Sequence, residues 1–139
     1  MNMSDRNEMA KWFAAALGVI LVAVGLLGFV DNPIASGPQN DPIFVTGFMH
    51  NIVHIATGLL ALVIAFGMSG AARANALIGF GALYGLVLVG TLVSPDLFGI
   101  LEHPVNAADH VLHVLLTAAP ILVGWLARSE LTEHDVSPV

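Results

Sequence analysis

Four long apolar segments dominate the pattern of hydrophobic and polar positions along the chain. They cover about residues 11–30, 42–68, 74–94 and 106–128. Each has about the 20 residues that an α-helix needs to cross the hydrocarbon core of a bilayer. A backbone in lipid must satisfy its hydrogen bonds internally, so we predict that each segment is a helix. The pattern therefore predicts an all-α integral membrane four-helix bundle, forming one domain over residues 1–139.

Two other interpretations of the pattern agree less well with the sequence. A soluble helical bundle needs a wide polar face on each helix, yet 57% of the residues are hydrophobic and only 10% are charged. Soluble domains carry about 25% charged residues. A cleaved signal peptide has an apolar core of roughly 7–15 residues, which is shorter than the first segment. We therefore interpret that segment as a retained helix.

Capping residues mark where the segments begin and end. Asp41 and Pro42 are typical of an N-cap followed by a first-turn proline, so they predict the start of the second helix. Asn106 is predicted to cap the fourth helix, with Asp109 at its third helical position. Gly70 is predicted to end the second helix, because glycine is common just after a helical C-terminus.

The basic residues all fall on one side of this topology. They are Arg6, Lys11, Arg73 and Arg128. The two loops on the other side carry acidic residues and no Lys or Arg. The positive-inside rule therefore predicts a multi-pass protein with both termini in the cytoplasm.

Composition also removes several classes of function. The chain has no cysteine, so disulfides and thiolate metal sites are excluded. Its net charge is −6 and it has no basic run, so nucleic acid is not an expected partner. No nucleophile with a neighbouring base and no phosphate-binding loop stands out, so we predict no catalytic residue and no cofactor.

The chain shows a short internal repeat. The aligned pairs are Asn51 with His110, His54 with His113, and Gly25 with Gly90. The repeat predicts two copies of a helical hairpin that start on the same side of the membrane, which makes it a parallel repeat.

Two motifs in the repeat resemble a known family. They are Asn51-Ile52-Val53-His54-Ile55-Ala56-Thr57-Gly58 and Asn106-Ala107-Ala108-Asp109-His110-Val111-Leu112-His113. They resemble the family called domain of unknown function 4383, which consists of small four-helix bacterial membrane proteins without an assigned activity. The resemblance covers about residues 12–128 and departs at His110, where the family pattern has Asn. It implies the fold and a bacterial inner-membrane location, but it transfers no catalytic residue.

Polar side chains gather in the first turns of helices two and four. Both helices begin on the same side, so these side chains should share one depth. Polar groups in lipid turn inward and find partners, so we predict a structural polar layer inside the bundle. Its members are Asn51, His54, Asn106, Asp109, His110 and His113.

Several chemistries are compatible with this layer. Imidazoles both donate and accept hydrogen bonds, so the sequence favours a network that ties the hairpins together. A divalent metal ion is one alternative. Its candidate ligands are His50, His54, His110, His113 and Asp109. Haem held between His54 and His113 is another alternative, and a proton or ion pathway is a third.

These observations favour a structural or accessory membrane protein. Most of the predicted surface is apolar, and the internal polarity is confined to one layer. We expect such a chain to contact the lipid bilayer and to pack against other membrane subunits or against copies of itself. The rival hypothesis is a haem-binding or metal-binding membrane protein that uses the histidine layer.

Overall fold

The computed structural model describes residues 3–134, with side chains from 4 to 128. The helices of this part are α1 (Met3–Leu27), α2 (Phe48–Gly67), α3 (Gly70–Val93) and α4 (Ala107–His134). All four are long and apolar enough to cross a membrane. The predicted all-α membrane bundle is therefore confirmed.

The bundle consists of two antiparallel hairpins. Helix α1 packs along α2 and α3 packs along α4, whereas the contacts between the two hairpins are few. Small residues let the paired helices approach closely. A Cβ atom on Gly18 would lie 2.7 Å from the carbonyl oxygen of Gly58, and one on Gly81 would lie 2.6 Å from that of Thr117. In lipid, no hydrophobic effect drives two helices together, so close packing of their backbones stabilises each hairpin instead.

The same contacts define the register of the repeat. Gly18 and Gly81 make equivalent contacts in the two hairpins, and they are 63 positions apart. The predicted pair Gly25 and Gly90 is 65 positions apart, so that part of the alignment was wrong by two residues. A Cβ on Gly25 would meet the backbone of α2, whereas one on Gly90 would meet the side chain of Leu97. These two glycines therefore have different roles.

The second helix begins at Phe48 rather than at residue 42. Residues before it form a short parallel strand pair, β1 (Ala35–Ser36) with β2 (Phe44–Val45). Asp41 is not an N-cap, because its φ of 46° places it at the end of a 3-10 turn. The prediction failed because Asp41 and Pro42 are also typical turn residues.

The cap of α2 comes from a distant loop. Its N-cap residue is Gly47, which has no side chain to supply a hydrogen bond. The carboxylate of Glu102 instead accepts from the backbone N–H of Met49, at 3.0 and 3.1 Å. Glu102 lies between α3 and α4, so this cap also joins the second hairpin to the first.

The other boundaries also differ from the prediction. Helix α1 starts at Met3 rather than residue 11, because polar residues can continue a helix beyond the hydrocarbon core. It ends at Leu27 rather than residue 30, and its last carbonyl accepts from the side chain of Asn32 at 2.9 Å. Helix α3 starts before residue 74, and α4 continues past residue 128 to His134.

Arg73 organises the end of the bundle that carries the chain termini. Its guanidinium is buried and donates to the carbonyls of Ile64, Ala65 and Met68 at the end of α2. It also donates to the backbone and side-chain oxygens of Asn7 on α1, at 3.0 and 2.7 Å. Arg73 therefore caps α2, a role predicted for Gly70. Gly70 instead begins α3, with a φ of +51°.

Candidate functional site

The predicted polar residues lie at the end of the bundle opposite the termini. We call this the loop end; it comprises residues 28–47, residues 94–106 and the first turns of α2 and α4. Asn106 and Asp109 form the predicted cap there. The backbone N–H of Asp109 donates to Asn106 Oδ1, and that of Asn106 donates to Asp109 Oδ2, both at 3.0 Å. Asn106 also donates to the carbonyl of Ile43, which ties α4 to the first loop.

Three buried imidazoles come together between the hairpins. His50 and His54 on α2 stack with their ring centroids 4.7 Å apart. His113 on α4 lies 6.3 Å from His50, and Tyr84 on α3 lies 6.0 Å from His113. His50 is thus at the centre of the cluster, although the sequence placed it only among the possible metal ligands.

A cavity of about 130 Å³ lies beside these rings. Helices α2, α3 and α4 form its walls, and the loop after α3 contributes the rest. The lining residues are His50, Val53, His54, Tyr84, Val87, Leu97, Ile100, Leu101 and His113. Its surface consists almost wholly of apolar atoms, so the imidazoles present mainly ring carbons to it.

The sequence of the chain matches one family profile. The profile described as Domain of unknown function (DUF4383) matches residues 11–126 of the 139. The chain belongs to this family. The match spans the membrane-crossing part of all four helices and confirms the resemblance found in the two histidine motifs. Comparison with curated proteins gave no match, and comparison with solved structures gave none.

The hydrogen-bond network expected in this DUF4383 chain is only partly formed. Within the described residues, the Nδ1 atoms of the four histidines in the first turns of α2 and α4 are buried without a partner. These residues are His50, His54, His110 and His113. Beside the imidazoles, the polar bond between the hairpins is made by Thr57 and Tyr84, whose hydroxyl oxygens are 2.7 Å apart. Tyr84 thereby finds a partner inside the bundle.

Asn51 and His110 have other surroundings than the rings that line the cavity. Asn51 is buried against α1, and a Cβ on Gly28 would overlap its side-chain amide, at 1.9 Å from Oδ1. His110 is half-buried and does not line the cavity. The cluster therefore contains three of the four histidines in the first turns of α2 and α4, namely His50, His54 and His113.

The alternatives predicted for these residues were a metal ion and haem. Among the described residues, no group of three or more His, Asp or Glu side chains is arranged to hold a metal ion. Asp109 already accepts a capping hydrogen bond. Ligand pockets for larger molecules measure roughly 300–1,000 Å³, whereas the cavity lined by His54 and His113 measures about 130 Å³.

Sequence reasoning missed several residues of this end. Glu102 caps α2 and Thr57 forms a hydrogen bond with Tyr84 on α3. Neither residue lies in a local sequence motif that indicates this role. The available signal for Thr57 was its position one turn after His54, on the same face of α2. For Glu102 no signal existed, because its partner Met49 is 53 positions away.

Proposed function

We propose that this DUF4383 protein is an accessory membrane subunit whose loop end docks on a different membrane protein. The observation that carries the proposal is the exposure of large apolar side chains on its loops, beyond the helices. They include Phe98 at 70%, Ile43 at 57%, Ile100 at 56% and Ile34 at 45%. Exposed apolar patches of this kind are typical of interaction sites.

The charge of the loop end supports a partner that differs from the chain itself. Residues 28–47 and 94–106 contain four acidic residues and no Lys or Arg. Asp31 and Asp41 are exposed beside the apolar residues. A symmetric dimer through this surface would bring the same carboxylates face to face. A partner with an apolar groove and a basic rim would complement it.

The internal polar groups support a structural rather than a chemical role. Arg73, Glu102 and Asp109 each complete a helix end. The proposal therefore assigns them to holding the hairpins in place for docking.

Photocrosslinking tests the docking surface. A photoreactive residue at Phe98 or Ile43 should give one discrete adduct with a different polypeptide in the native membrane. The control is the same residue at Leu86, which is 73% exposed but lies within α3, away from the loop end. Adducts with lipid alone, or with a second copy of the chain, would contradict the proposal.

We further propose that the loop end faces the periplasm of a bacterial inner membrane. Arg6, Lys11, Arg73 and Arg128 support this orientation, because they all belong to the opposite end and basic residues favour the cytoplasmic side. A reporter enzyme that is active only in the cytoplasm should be active when it is fused after residue 134. A reporter that is active only in the periplasm should be inactive at the same position. Activity of a periplasmic reporter at that position would reverse the orientation.

The rival function is binding of haem or a divalent metal at the histidines. The unpartnered imidazole nitrogens favour it, because a buried polar atom without a partner calls for an explanation such as an ion. Purified protein should show no Soret absorbance and no stoichiometric metal. One equivalent of either, lost on replacing His54 and His113, would favour the rival function.

A further inference from the structure

We propose that the cavity between the hairpins binds a neutral, lipid-soluble molecule through a single aromatic ring. This site shares Ile100 with the docking surface, but it does not depend on the proposed accessory role. The size of the cavity is the first argument. An apolar protein cavity of about 150 Å³ binds one benzene molecule, and this cavity measures about 130 Å³.

The composition of the wall favours an aromatic ring over an alkyl chain. Three imidazoles and the phenol of Tyr84 line the cavity, and neighbouring rings in this set are 4.7 to 6.3 Å apart. Aromatic pairs prefer edge-to-face or offset arrangements with centroids about 4.5–7 Å apart. A guest ring can therefore join the set with the same spacing. The wall offers few polar atoms, so the guest must be neutral.

The loop that covers the cavity provides an independent argument. Leu97, Ile100 and Leu101 line the cavity from the segment after α3. Leu97 and Phe98 have φ angles of 50° and 59°, in the left-handed region that bulky side chains rarely adopt. Such strain persists only where surrounding contacts impose it, and it is common at ligand clamps.

Hydrogen bonds hold this strained cover in place. The N–H of Leu101 donates to the carbonyl of Asp96 at 2.9 Å, and that of Val105 donates to the carbonyl of Pro95 at 2.9 Å. Glu102, next to Leu101, is bonded to α2. The cover is therefore fixed to both hairpins, and it keeps Leu97 over the imidazole cluster.

Toluene is the probe that tests the site. Protein with ¹³C-labelled histidine rings, in lipid nanodiscs, should show saturable shifts of the ring signals of His50, His54 and His113 on adding toluene. The ring of His103, in the loop and outside the cavity lining, should not shift with saturation. The amount of toluene that partitions into the lipid rises linearly with its concentration, so ring shifts that saturate identify a binding site. Cyclohexane, of similar size but not aromatic, should bind at least tenfold more weakly.

Variants that fill the cavity make the test specific. Val87→Phe and Val53→Leu should each weaken toluene binding at least tenfold, whereas Leu86→Phe on the exposed face of α3 should leave it unchanged. Thermal unfolding curves establish which of the two cavity-filling variants are folded. One folded variant is enough for the test. Absence of saturable shifts in the folded wild-type protein would overturn the proposal. Wild-type affinity in a folded filled variant, or equal affinity for cyclohexane, would do the same.

Discussion

Replacing Arg73 with alanine should lower the free energy of unfolding by about 3 kcal/mol or more, since hydrogen bonds to charged groups contribute about 1.5–3 kcal/mol each. The guanidinium joins three elements of the structure: the last carbonyls of α2, its own helix α3, and Asn7 on α1. Its loss would leave buried carbonyl oxygens without donors. Thermal or denaturant unfolding in detergent measures the effect.

Arg73→Lys separates this role from the role of the charge in topology. Lysine keeps the positive charge that orients the chain, but its single ammonium cannot reproduce the planar fork of donors. The lysine variant should therefore insert in the normal orientation, but it should lose most of the free energy of unfolding that Arg73 contributes. Arg128→Ala is the matched control, because Arg128 is exposed on α4. Equal stability of the Arg73→Ala and Arg128→Ala variants would show that the buried contacts are unimportant.

Gly81→Leu should be comparably destabilising, by about 3 kcal/mol, the upper part of the range for overpacking a well-packed contact. A Cβ at Gly81 would lie 2.6 Å from the carbonyl oxygen of Thr117. That atom belongs to the backbone of α4, so only separation of α3 from α4 could relieve the overlap. The measurement is the midpoint of thermal unfolding in detergent.

Two other glycines on α3 set the scale for this result. A Cβ at Gly85 would lie 3.2 Å from the side-chain methyl of Thr117, whereas one at Gly79 would meet nothing within 4 Å. Gly85→Leu should therefore be intermediate, and Gly79→Leu should be neutral. If Gly81→Leu is as stable as Gly79→Leu, the close contact between α3 and α4 does not exist in the membrane.

The fold could be predicted because the membrane imposes simple rules on sequence. Length and hydropathy located all four helices, since each must cross the bilayer with its backbone bonds satisfied. Asn106 and Asp109 were predicted correctly because a capping box is local, with both partners within one turn. Asp41 was misassigned because the same residue types begin helices and form turns, and only the path of the chain decides between them.

The contacts between distant segments could not be predicted. Glu102 bonds to a backbone group 53 positions away, and Arg73 bonds to Asn7 at a separation of 66 positions. The partners Met49 and Asn7 carry no sequence signal. Met49 donates through its backbone N–H, and Asn7 accepts through a side-chain amide oxygen, and both kinds of group are common along the chain. Sequence periodicity gave His54 and His113 the same depth. It did not give the rotation of α2 and α4 that brings His50 into the cluster and turns Asn51 towards Gly28, just after α1.

Native mass spectrometry tests the proposed docking most directly. The protein should be extracted from its own membrane in polymer nanodiscs, without detergent that could remove a partner. The account predicts a complex heavier than the 14.5 kDa chain, and the difference should correspond to one or more different polypeptides. Replacing Phe98 and Ile43 with aspartate should release them. A monomer, or a complex made only of copies of this chain, would contradict the account.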